Sequence, residues 1–255
     1  MKEIVKGKNR AYARYEETLL RRDGLRQEAE QLHWQYMQLY GDMIERSFRL
    51  KVDCIQKKKM IAYCQQKVNK GERINGNALG DYIAKQMASY QQELEQLVRR
   101  VQAAKDSMDI SEADARKIKE IYRRLAKKIH PDLHPEYAGD AGLQEYWNRI
   151  VVAYRYNQLK EIQELEALVE SYLAERGEGT PDFEIPDIEE RIAEVEKEIA
   201  KILSTNPYLY KLILEDEGER QRQIRAYADE IASYEHYAKQ LDEVLATFEI
   251  ERRLS

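Results

Sequence analysis

The residues best placed to do chemistry stand in one short stretch, His130-Pro131-Asp132, with His134 and Pro135 just beyond it. An imidazole beside a carboxylate can move a proton, and two imidazoles four apart on a helix can share a metal. Pro131 and Pro135 forbid that helix and no cysteine adjoins, so no metal site is expected. Cys54 and Cys64 are the only cysteines and lack CxxC spacing, which reads as buried or idle thiols in a reducing compartment. His33 and His236 have no evident partner in the sequence and read as surface or seam residues. There is no phosphate-cradling glycine loop, nucleophile elbow or metal-ligand cluster, so no catalytic residue and no cofactor is expected. Recognition remains: Asp132, held in a proline-stiffened turn, can accept charge-assisted bonds from a partner's arginine.

The elements that position this turn are helices. Ser111 followed by Asp114 has the form of a helix start, and Ile118, Ile121, Tyr122, Leu125 and Ile129 share one face of the helix that follows. Pro131 ends it, because the residue before a proline is pushed out of helical backbone. Arg123, Arg124, Lys127 and Lys128 form its basic face. Arg123 with Lys127, and Arg124 with Lys128, are like-charged i,i+4 pairs, mildly unfavourable in an isolated helix and suited to an acidic protein surface. Beyond the loop, Leu143, Trp147, Ile150 and Tyr154 share a face of a second helix. Its pattern continues through Ile162, Leu165, Val169 and Tyr172, predicting one helix as far as Arg176.

The run Tyr122-Arg123-Arg124-Leu125-Ala126, the basic residues after it and His130-Pro131-Asp132 resemble the second helix and loop of J domains, the DnaJ family. Trp147, Ile150 and Ala153-Tyr154 match the third helix of that family, so the resemblance spans about a fifth of the chain, residues 111–159. It implies docking on a DnaK-type chaperone and stimulation of its ATP hydrolysis. His130, Pro131 and Asp132 would be the trigger, and Arg123, Arg124, Lys127 and Lys128 the docking surface. Tyr122, Leu125, Trp147, Ile150 and Tyr154 would be core. A His130→Gln variant is expected to fold and lose the stimulation. The sequence departs from the family by a loop about three residues longer and by the absence of a Tyr-Tyr-x-x-Leu-Gly-Val first helix; the helix ending near Met108 is expected to take over that packing role.

The rest of the chain reads as helical arms. Tyr15, Leu19, Leu32, Tyr36, Leu39, Met43, Cys54, Ile61, Cys64 and Val68 predict one long helix to Asn69, with a weak point at Gly41-Asp42. Lys70-Gly71 marks a reversal with Asn77 as cap, and Ile83, Met87, Tyr90, Leu94, Leu97, Val101, Ala104 and Met108 then form a seam against that arm. Asp187 with Glu190 predicts a helix start, and Asn206-Pro207 a cap and first helical position. Ile185, Ile188, Ile192, Val195, Ile199 and Ile202 face Ile224, Tyr227, Ile231, Tyr234, Ala238, Leu241, Leu245 and Phe248 in an expected C-terminal hairpin.

The expected architecture is all-α: a helical hairpin over 1–108, a J-like module over 109–176, a linker over 177–186 and an antiparallel coiled-coil hairpin over 187–255. Charged residues at 35% against 43% hydrophobic, and 18 Tyr against 3 Phe, suit narrow seams with wet edges. A net charge of −5 gives no bulk attraction to nucleic acid or to an anionic membrane, and no signal-peptide core or membrane-spanning run is present, so a cytoplasmic place is expected. The expected role is that of a co-chaperone and not an enzyme, with arms that bind an unknown client, act as scaffold or close a homodimer. The alternative is a structural adaptor whose J-like module has no chaperone role.

Overall fold

A computed structural model describes residues 2–106, 110–176 and 185–251. The chain is all-α, with eight helices among these residues and a single parallel pairing of two-residue strands, Ile74–Asn75 (β1) with Ile250–Glu251 (β2). The first helix, α1 (Lys2–Asn69), runs unbroken because no proline precedes residue 131 and the expected weak point at Gly41 is filled by packing. A Cβ on Gly41 would lie 3.0 Å from Cγ1 of Val101, so glycine there allows close approach and does not mark a break. At its end Gly71 takes φ +68°, its N–H donates to the Val68 carbonyl at 2.9 Å and that of Glu72 to Lys67 at 3.0 Å. This is the Schellman arrangement that satisfies the last carbonyls of a helix.

Contacts group the chain into two units, Met1–His33 with Met108–Lys211, and Trp34–Ser107 with Leu212–Ser255. The expected segments 1–108 and 187–255 are therefore each shared between the two. In the second unit α2 (Gly76–Asp106) packs on α1 through Val52, Cys64, Leu79, Ile83 and Met87, and through Met37, Leu97, Val101 and Ala104. Its start is capped by the Asn75 side chain, which accepts from the Ala78 N–H at 3.0 Å; the cap is Asn75 and not Asn77. The last helix, α8 (Glu217–Leu245), sets Ala238 and Leu241 against Cys54. Met108 lies outside the described residues, as does the expected linker apart from 185–186.

The first unit holds α3 (Glu112–Ile129), α4 (Ala141–Arg155), α5 (Leu159–Arg176) and α6 (Ile188–Leu203). The Ser111 hydroxyl accepts from the Asp114 N–H at 3.1 Å and opens α3 as expected. The single helix predicted from Leu143 to Arg176 is two. Asn157 takes φ 53°, a left-handed conformation that asparagine tolerates, and the chain folds back so that α5 packs on both α3 and α4. Ile162, Leu165 and Val169 are fully buried against Ile118, Leu125 and Ile150.

Three further expectations are corrected. The apolar seams of α6 and α8 do not fill one another: Ile192, Val195 and Ile199 pack on Tyr15 and Leu19 of α1, whereas α8 packs further along α1. Heptad spacing specifies an apolar stripe but not the surface that covers it. Asp187 precedes α6 in a left-handed conformation without a side-chain capping bond. The short helix after Pro207, α7 (Tyr210–Glu215), starts three residues later than expected. Cys54 and Cys64 are free and buried.

Candidate functional site

Helix α3 delivers His130 and Asp132 to the edge of the first unit. Its final turn buries Ile129 and Ala126, and the proline turn that follows sets Pro131 outward, Asp132 half-buried and Leu133 inward. His130 is buried, with its ring edge-on to Trp147 of α4 at 4.6 Å between centroids. The backbone N–H of Asp132 donates to Nδ1 of His130 at 3.0 Å, which places the ring proton on Nε2, 3.6 Å from Oδ2 of Asp23 in α1. Both ring nitrogens are thus engaged by the protein itself.

Asp23 is the hub of this arrangement. The Tyr122 hydroxyl donates to its Oδ2 at 2.8 Å, and Nε and Nη2 of Arg22 reach its Oδ1 at 3.0 and 2.9 Å. Burial pushes the Asp23 carboxyl up, but His130, Arg22 and Tyr122 together outweigh it and hold it below the usual carboxylate range. Burial and the nearby Asp23 charge push the Tyr122 hydroxyl well above its ordinary value and that of Tyr154 up to about 12. The two tyrosine rings stack at 3.8 Å, an interplanar angle of 12°.

Arg22 also faces outward. Its Nη1 lies 3.6 Å from Oδ2 of Asp132 and 3.6 Å from Oε2 of Glu198 in α6, although its own side chain is only 10% exposed. Burial disfavours the charged guanidinium, and the carboxylates of Asp23, Asp132 and Glu198 reverse that and raise its pKa. A cleft of about 280 Å³ opens here, lined by Arg22, Gln27, His130, Asp132, Trp147 and Arg155 among others. Gln27 closes one wall by donating to the Tyr154 carbonyl at 3.0 Å and to Oδ1 of Asn157 at 2.7 Å.

Each expected site residue has a definite place. Tyr122, Leu125, Trp147, Ile150 and Tyr154 are all buried in one cluster with α5. Arg123, Arg124, Lys127 and Lys128 are exposed. Arg124 forms a two-pronged pair with Glu166 of α5 at 2.7 and 3.1 Å, Lys128 meets Glu170 of α5 at 2.8 Å, and Lys127 meets Glu16 of α1 at 2.8 Å. His134 does not pair with His130; its Nε2 contacts the Lys127 carbonyl at 2.7 Å and its Nδ1 contacts Glu136 at 2.9 Å, closing the end of α3. His33 stacks on Tyr210, and Nε2 of His236 contacts Gln240.

The residues that the sequence reading missed are Arg22, Asp23 and Gln27. They lie on α1, which also supplies Leu20 beside the α3–α4 core. One signal was present: Tyr15, Leu19 and Asp23 stand at four-residue spacing, so a carboxylate continues an apolar stripe. A carboxylate in that position needs buried cations or donors.

Comparison with family models, curated proteins and solved structures gives no significant match. The site stands on its own geometry. Among the described residues no group of three or more His, Cys, Asp or Glu is arranged to hold a metal, and no helix is long and apolar enough to cross a membrane.

Proposed function

We propose that this chain is a J-domain-type co-chaperone that docks through α3 and its terminal turn on a DnaK-type ATPase and stimulates its ATP hydrolysis. The observation that carries the reading is the pose of Asp132. Its carboxylate is 43% exposed at the tip of a turn braced from behind by His130, next to an outward Pro131 and above the basic row of α3. Such a fixed carboxylate suits a partner's guanidinium, and Arg123, Arg124, Lys127 and Lys128 suit an acidic surface beside it. His130 faces groups of its own chain, with Nδ1 accepting from the Asp132 N–H and Nε2 beside Asp23, which favours a bracing role for it in this reading. Two buried free thiols fit a reducing cytoplasm. The helical arms grip a client, serve as scaffold or pair two copies.

The test is single-turnover ATP hydrolysis by a purified DnaK-type chaperone with catalytic amounts of the full chain. Stimulation by the native chain that Asp132→Asn abolishes supports the reading; no stimulation sinks it. Asp132→Asn is the better probe than His130→Gln, because His130 is 4% exposed and its replacement disturbs the core.

A second reading, a structural adaptor, is favoured by Leu133. This residue of the turn is buried with Tyr15, Leu19, Ile185 and Ile192, so the turn also fastens α1 and α6 to the unit. If Asp132→Asn left cellular function intact while charges placed in the Ile188–Ile202 seam abolished it, the adaptor reading would win.

A further inference from the structure

We infer that the docking surface is closed in cis: α1 presents Arg22 to Asp132 and Glu16 to Lys127, standing in for the partner's own arginine and carboxylate. The inference rests on the co-chaperone reading and names the regulation of that same site. Its basis is the match of chemistry, residue for residue. The turn offers a carboxylate for a guanidinium and α3 offers cations for an acidic surface; within the chain Asp132 meets a guanidinium and Lys127, Arg124 and Lys128 meet carboxylates.

The two sources of these counter-charges differ in how they release. Helix α5 belongs to the core, with Ile162, Leu165 and Val169 fully buried, so Glu166 and Glu170 stay at hand. Their pairs are exposed on the arginine and lysine side, and a change of rotamer frees those cations at little cost. Arg22 cannot swing away so easily. Asp23 holds its Nε and Nη2, Glu198 faces its Nη1, and its side chain is nearly enclosed. An arginine arriving at Asp132 therefore competes for a carboxylate that Arg22 already faces at 3.6 Å. Docking requires Arg22 to yield its place by a shift of the α1 segment that carries Glu16 and Arg22.

The experiment titrates native chain, Arg22→Gln and Glu16→Gln, each with and without Asp132→Asn, against a purified DnaK-type chaperone in single-turnover ATP hydrolysis. The expected result is a half-saturating concentration about tenfold lower for Arg22→Gln and about twofold lower for Glu16→Gln, the scale of one charge-assisted contact and of one surface pair. Asp132→Asn should cancel the stimulation in every background, which a merely loosened fold would not reproduce. If the native chain stimulates and both variants titrate identically to it, the cis closure is wrong and the co-chaperone reading stands. If no form stimulates, the co-chaperone reading falls and the closure with it. Should Arg22→Gln fail to fold, Glu16→Gln decides, because it alters only a pair whose lysine is 56% exposed.

Discussion

The backbone N–H of Asp132 donates to Nδ1 of His130 at 3.0 Å, so the imidazole of the tripeptide fastens the turn that carries the tripeptide's own carboxylate. His130 is therefore a brace, buried against Trp147 and Asp23, and Asp132 is the group that meets the outside.

That division of labour predicts unequal costs. His130→Gln should destabilise the first unit by about 2 kcal/mol, since it leaves a buried donor and the Asp23 carboxylate short of a partner. Asp132→Asn, at a half-exposed ion pair, should cost under about 1 kcal/mol. Urea denaturation of the two variants beside the native chain measures both, and equal costs would contradict the brace.

Acid should act on Asp23. Because folding lowers its pKa, its contribution is complete above the ordinary carboxylate range and is lost as pH falls through the folded value. Asp23→Asn, which breaks a buried pair, should cost about 3 kcal/mol at pH 6. The gap between variant and native chain should narrow as pH falls below about 4, where the unfolded chain's carboxylate takes up a proton while the folded one still resists it. Denaturation series at several pH values would show a constant gap if Asp23 contributed by shape alone.

Asn157 stands at the break between α4 and α5 with φ 53°. Asn157→Gly should keep the left-handed backbone and lose only the bond to Gln27, whereas Asn157→Val should cost about 1–2 kcal/mol from backbone strain in addition. Thermal melts of the two variants separate the effects, and a valine as well tolerated as glycine would exclude strain.

Gly41 and Val101 should be coupled. Alanine at position 41 gains helix propensity, about 1 kcal/mol, but its Cβ would crowd both methyls of Val101 at 3.0 and 3.2 Å. In a Val101→Ala background the crowding is gone, so Gly41→Ala should be more favourable there by at least about 0.5 kcal/mol. A double-mutant cycle reads this directly, and strict additivity would deny the contact.

Much of the local structure was legible because it depends on neighbours in the chain. Ser111 opens α3, Pro131 closes it, and the face of Ile118, Tyr122 and Leu125 is buried as its period requires. What stayed hidden depends on partners far along the chain. Asn157 breaks a helix between Tyr154 and Ile162 without any glycine or proline, and both halves keep helical spacing, so periodicity runs through the break. The seams of α6 and α8 were visible as stripes, but their cover is α1. In the site, the tripeptide and its basic row were legible, while Arg22 and Asp23, about a hundred residues earlier, were marked only by a carboxylate that continues the apolar stripe of Tyr15 and Leu19.

Trp147 touches His130 edge-on, and lies 5.7 Å from Tyr122, which stacks in turn on Tyr154. The chain has only one other tryptophan, Trp34. A Trp34→Phe variant would thus carry a single indole, with the Tyr122 ring and the His130 imidazole beside it. Any event that parts α1 from the turn changes the surroundings of that indole, so its emission would gauge such a movement.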